Sequence, residues 1–187
     1  MKNRLVLTAS TAVVVVALAL SACSSSSNGS STSTTASSGS GATDKACTAF
    51  SGTLGQSSGG SSSVSGATAT GITTSKQGCV DNIQITMSKG VTSWTAAYAD
   101  GAINDANGNA INTGQPANLV ITIQNAAWAG AAKPPSTVLP VNLDYVKSIN
   151  IANGPNGSTI VVLGFATKKP YQASDSQNPA YISLGIG

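Results

Sequence analysis

The chain has 187 residues with nine Lys or Arg, six Asp, no Glu and no His. That composition excludes a His-centred triad, a His metal site and a carboxylate pair that draws on Glu. Lys2 and Arg4 lie in a segment expected to be removed, leaving seven Lys against six Asp, and so small an excess argues against nucleic acid as a partner, which would need a dense basic footprint.

Residues 1–22 open with Lys2 and Arg4, continue through the apolar run Val13 to Leu20 and end in Ser21-Ala22. A basic start, a short apolar stretch and small residues before a cut site predict a secretory signal peptide. Thr8, Ser10 and Thr11 interrupt the stretch, which falls short of the roughly 20 apolar residues of an uncleaved membrane anchor. Leu20-Ser21-Ala22-Cys23 resembles the lipobox of bacterial lipoproteins. The resemblance implies that Cys23 becomes the mature N-terminus and carries a diacylglyceryl thioether with palmitate-type chains. The mature protein is then expected on the extracytoplasmic face of the cell membrane, since each buried CH₂ adds about 0.8 kcal/mol.

Cys47 and Cys79 remain as an even pair in an oxidising compartment, and a disulfide between them is expected. A loop of that length contributes about 3 to 4 kcal/mol when unstrained. Two buried free thiols are the alternative, and a redox pair would be spaced Cys-x-x-Cys.

Residues 23–46 read as a flexible tether, because Ser24 to Thr43 are almost all Ser, Thr, Gly, Ala or Asn and cannot bury enough apolar surface to offset chain entropy. Its expected mean span is on the order of 25 Å. Residues 47–77 read as a low-complexity segment pinned by Cys47. Within it, Ser51 to Thr70 holds only Leu54 and Val64 as branched apolar residues and suits a mobile loop or a ragged edge strand.

From residue 78 the pattern changes. Ile83, Ile85 and Met87 alternate with Gln84 and Thr86, then Trp94, Ala96 and Tyr98 alternate with Thr95 and Ala97. Period two predicts strands with one buried face. Asn107-Gly108 predicts a turn between Ala102-Ile103 and Ala110-Ile111. Leu119, Ile121 and Ile123 form the inward set of another strand. Leu143 to Lys147 suits one helical turn. Val146 to Ile151 and Thr159 to Phe165 make a further pair, joined by Asn153-Gly154-Pro155-Asn156-Gly157, whose two Asn-Gly steps are expected to supply positive φ. Tyr181 to Ile186 alternate as a last strand. The predicted class for 78–187 is all-β, a sandwich or flattened barrel.

Four stretches carry a resemblance: Gly78-Cys79-Val80-Asp81-Asn82-Ile83-Gln84-Ile85, Leu119-Val120-Ile121-Thr122-Ile123, Pro140-Val141-Asn142-Leu143-Asp144-Tyr145-Val146-Lys147-Ser148-Ile149, and Gly164-Phe165-Ala166-Thr167-Lys168-Lys169-Pro170-Tyr171, with a closing strand Asn178 to Ile186. In this order they resemble the AMIN-like domain of actinobacterial secreted lipoproteins, a family related to a β-sandwich module that targets amidases to the cell envelope. Where the family places Arg after the first Asp, Asn82 stands here; where its last strand carries Arg and Asp, Tyr181 and Gly185 stand. The resemblance implies a non-catalytic domain, without cofactor, that binds an envelope component such as peptidoglycan or another wall polymer. The alternative is a protein-interaction or assembly subunit at the outer face of the membrane.

Lys168, Lys169 and Tyr171 set two cations beside an aromatic at a strand end, where Pro170 donates nothing to a ladder. They are candidate ligand-binding residues for an anionic wall polymer or a lipid head group; the alternative is a solvated loop whose lysines protect an edge strand. Trp94 and Tyr98 lie in phase with Ala96, which assigns them to the core. Trp128, in an Ala- and Gly-rich loop, is the fourth candidate binding residue, through stacking on a sugar ring.

Catalysis would need a base beside a nucleophile. Thr73-Thr74-Ser75-Lys76 and Thr86-Met87-Ser88-Lys89 come nearest, and neither is a Ser-x-x-Lys motif. Asp100, Asn104, Asp105 and Asn107 offer oxygens near a turn, which a plain hairpin satisfies as well as Ca²⁺ would. No catalytic or metal-ligating residue is assigned.

Overall fold

The computed structural model describes residues 50–140 and 142–187. Cys23, Cys47, the signal segment 1–22 and the tether 23–46 lie outside the described residues. The strands are β1 (Ser57–Gly59), β2 (Thr68–Gln77), β3 (Val80–Met87), β4 (Trp94–Tyr98), β5 (Ala117–Ile123), β6 (Ala127–Trp128), β7 (Ser136–Val138), β8 (Val146–Asn153), β9 (Thr159–Phe165), β10 (Tyr171–Gln177) and β11 (Ala180–Ile186). They form a six-stranded sheet in the order β1-β4-β5-β9-β8-β7 and a five-stranded sheet in the order β10-β11-β3-β2-β6. The fold is an all-β sandwich.

Alternation decides which side chains meet between the sheets. Ile83, Ile85 and Met87 of β3 and Ile182, Leu184 and Ile186 of β11 face Trp94 and Ala96 of β4 and Leu119, Ile121 and Ile123 of β5, all within one buried cluster. β9 differs, because every residue from Thr159 to Phe165 is buried. A strand apolar on both faces needs cover on both. On its outer side Val162 and Ile160 join Ala152 of β8 in a second cluster, against which Ile103, Ile111 and Val120 pack. Ile103 and Ile111 belong to the connection between β4 and β5, which folds back over the sheet.

That connection turns where Asn107-Gly108 predicts. Asn104 bridges Ala110, and Gly108 adopts φ +81°. Asp105 fixes the turn by accepting from the Asn107 and Asn109 amides at 2.8 Å each and from Asn109 Nδ2 at 3.1 Å. These bonds, led by the one from the Asn109 side chain, hold the Asp105 carboxyl below its ordinary value.

Three local expectations change. The boundary expected at 78 falls inside a hairpin, since β2 pairs with β3 from Ala69 to Gln77. β2 escapes a hydrophobicity reading because it buries only Ala69 fully; backbone pairing, which composition does not report, holds the rest. Leu143 to Lys147 makes no helical turn: Asn142 takes φ +62° and the chain bends directly into β8. In the turn before β9 only the second Asn-Gly step is left-handed, Asn156 at φ 55° and Gly157 at φ 69°, whereas Gly154 is extended at φ −93°.

Candidate functional site

β9 ends at Phe165, and Lys168, Lys169 and Pro170 lead from it into β10. Lys168 Nζ lies 3.1 Å from Asp100 Oδ1 and 5.5 Å from the centre of the Tyr98 ring. Lys169 Nζ stands 4.7 Å over the Tyr145 ring. The Tyr98 hydroxyl donates to the Lys169 carbonyl and accepts from the Lys169 N–H, both at 2.8 Å. Burial raises the Tyr98 phenol above its ordinary value, so it stays neutral. Both lysines are thus drawn onto aromatic faces of the domain.

Tyr171 is fully buried, contrary to its expected place beside the lysines in a ligand site. Its hydroxyl is 2.6 Å from the carbonyls of Gly55 and Ala96, and its ring meets Tyr98 edge-on at 6.1 Å. The physical reason is phase: residue 171 opens β10 on the side that faces the other sheet, and a phenol is buried without penalty when its hydroxyl finds an acceptor.

Near the same end, Asp81 lies in the inward phase of β3 and is fully buried. Its carboxylate accepts from three successive backbone amides, Asp144 at 2.9 Å, Tyr145 at 2.6 Å and Val146 at 3.0 Å. This clamp ties the start of β8, in one sheet, to the start of β3 in the other. Lys76 Nζ pairs with Asp144 Oδ2 at 2.7 Å, which raises the lysine above its ordinary value. Sequence reading passed over Asp81 as a buried anchor, although an acid in phase with Ile83 and Ile85 is a signal, because a buried carboxylate needs donors. Asn82, where the related pattern has Arg, faces outward with Gln84.

Trp128 stands at the other end of the sandwich. Phe165 of β9 pairs with Ala117 of β5, and Thr159 with Ile123, after which the chain reaches Trp128. A seven-residue strand separates the two ends by roughly 20 Å, so the lysines and Trp128 share no groove. The Trp128 ring is half-buried, its N–H donates to the Ala132 carbonyl, and Gly130 passes so near that a Cβ there would lie 2.5 Å from the ring. With Thr70, Ile72 and Val138 it lines a cleft of about 300 Å³.

Of the hydroxyls beside Lys, that of Ser88 is structural. Ser88 Oγ accepts from the Thr68 amide at 3.0 Å and from Thr68 Oγ1 at 2.9 Å, and Lys76 is turned to Asp144. Asp105 is turned to the amides of its own loop. Cys79, in the β2–β3 turn, is half-buried and engaged rather than free.

On the outer face of the five-stranded sheet the described residues leave the middle uncovered, and the Phe50 ring lies near Gly185 at its edge. Thr73 and Ser75 of β2, Asn82 and Gln84 of β3 and Ser183 of β11 line a shallow depression there, and register places Thr73 beside Gln84 and Gln84 beside Ser183. Hydroxyls and amides, without charge, line this depression.

Comparison with curated proteins and with solved structures finds no match to the chain. The family profile described as the AMIN-like domain matches residues 67–186, which takes in all of β2 to β11. A match over that much of its length makes this chain a member of the AMIN-like domain family.

Proposed function

We propose that this protein is a non-catalytic lipoprotein of the cell envelope whose β domain binds a wall component, peptidoglycan first among them. Cys23 carries the lipid, residues 23–46 give the domain reach, and a Cys47–Cys79 disulfide ties the tether to the β2–β3 turn. The observation that carries the reading is the family match over residues 67–186, since AMIN-like domains are typically binding modules. The local chemistry supports it: the hydroxyl, lysine and aspartate groups near one another hold turns and strand ends together, an arrangement suited to a scaffold rather than to proton transfer.

The full chain in detergent, sedimented with insoluble wall, is expected to be retained above a denatured control; equal recovery of the two would sink the reading. Mass spectrometry of the mature N-terminus is expected to show an acylated Cys23. Cys23→Ala should move the protein out of the membrane fraction, and unchanged membrane recovery would remove the anchor from the proposal. Crosslinking in cells that recovers a protein partner and no wall fragment would favour an assembly subunit.

A further inference from the structure

Two of the three large apolar side chains exposed among the described residues follow one another, Val138 at 40% and Leu139 at 73%. β7 runs antiparallel to β8 with Val138 beside Ile149, so the chain leaving β7 at Leu139 heads for Val146, where β8 starts. Val146 pairs with Phe165, the end of β9, and Lys168 and Lys169 follow from there. Lys147 comes next after Val146, and Lys76 reaches the same end through Asp144. Four of the six lysines among the described residues therefore stand at the end of the sandwich toward which Leu139 leads.

Of the carboxylates there, Asp81 is buried and occupied by three backbone amides. Asp100 and Asp144 hold Lys168 and Lys76 in exposed ion pairs, which contribute little in water and yield readily to other anions. Lys147 Nζ donates to the Asp144 carbonyl at 2.7 Å and Lys169 Nζ stands over Tyr145, so neither is paired with a carboxylate among the described residues. The described chain also begins at this end: the Phe50 ring lies against Gly187, next to Ile186, which pairs with Tyr171 and Asp81. Residues 1–49 therefore join the domain on its lysine side.

We propose that this end of the sandwich docks on an anionic phospholipid surface, with Leu139 entering the boundary between head groups and acyl chains and the four lysines meeting the phosphates. The inference rests on the lipid-anchored reading above, which keeps the domain near such a surface, and adds an orientation to it. Cations beside an exposed aliphatic side chain match the two layers of a lipid interface, a charged one over an apolar one. A soluble anionic polymer would satisfy the lysines and leave Leu139 and Val138 in water.

The full chain, purified in detergent, would be reconstituted in vesicles of phosphatidylcholine alone and in vesicles with phosphatidylglycerol added, and amide exchange followed by mass spectrometry. The Asn142, Ala166 and Thr167 amides are expected to exchange at least about fivefold more slowly on the anionic vesicles, the effect of one lysine at such a surface. The β8–β9 turn, at the opposite end, should not change. Salt at about 1 M, where screening acts within roughly 3 Å, should remove the difference. Leu139→Asp, and separately Lys147→Ala with Lys168→Ala, should each bring the slowing below about twofold; the altered side chains are exposed, so the melting temperature should hold within a few degrees. Slowing that survives both variants overturns the docking surface, and equal slowing by polyglycerol phosphate without vesicles overturns the choice of lipid. Equal exchange on the two vesicles with Cys23 acylated overturns the docking and leaves the anchor standing. An unmodified Cys23 overturns the anchor alone if added anionic vesicles still slow these amides, and both together if they do not.

Discussion

The outer faces of the two sheets start from the same pleat and end differently. On the six-stranded sheet Val120, Ala152, Ile160 and Val162 point outward, and Ile103 and Ile111 close over them. On the five-stranded sheet Thr73, Ser75, Asn82, Gln84 and Ser183 point outward, and among the described residues no connection closes over them. A connection long enough to fold back is recruited only where uncovered apolar area would otherwise face water, at about 25 cal/mol per Å².

Exchanging chemistry between the faces gives the largest effect. Val162→Gln puts an amide beneath the covering connection, and a loss of about 3 kcal/mol or more is expected in chemical denaturation. A loss under about 1 kcal/mol would mean that the cover is loose and that the two faces are alike. Ile111→Ala removes one of the two side chains that clamp the cover. Because Ile111 is half-buried, a smaller loss of about 1 to 2 kcal/mol is expected, with faster hydrogen exchange at the Ile103 and Ile111 amides and none of that change on β2 or β3.

Acid sharpens the contrast without mutation. The folded carboxyl of Asp105 is depressed, so its contribution to the turn is fully present above the ordinary carboxylate value of about 4 and is lost as pH falls through the depressed value. Protection of the Asn107 and Asn109 amides should therefore fall between pH 4 and lower pH, while the amides of β3 stay protected. Asp105→Asn should flatten that profile, and an unchanged profile would assign the acid response elsewhere. The smallest effect belongs to the open face: Gln84→Val is expected to stay within about 0.5 kcal/mol in the same denaturation assay. Lys168→Ala, which removes an exposed ion pair with Asp100, is likewise expected to cost no more than about 0.5 kcal/mol.

How much of this was legible follows from what each signal reports. Alternation in Ile83 to Met87, Trp94 to Tyr98 and Leu119 to Ile123 announced β3, β4 and β5, because burial on one face writes itself into every second residue. Asn107-Gly108 announced its turn through backbone sterics. β2 was unreadable, since its place comes largely from main-chain bonds to β3 and its side chains, apart from Ile72 against the core, are mostly small or polar. The proposed binding residues fared unevenly. Lys168 and Lys169 do sit together at a strand end, but Tyr171 is interior and Trp128 lies at the far end of the sandwich.

The sequence by itself determined the strand class, the inward sets of β3, β4, β5 and β11 and the Asn107-Gly108 turn, as well as the family motifs, because these depend on neighbours two to five residues away. Only the tertiary structure decided that Asp81 would clamp the amides of Asp144 to Val146, that Tyr171 would be enclosed, and that Asn150 would be buried with Thr137 Oγ1 donating to it. Each of those outcomes joins segments far apart in the chain. The energy of a hydrogen bond made or left unmade depends on which distant group arrives, and no local pattern encodes that arrival.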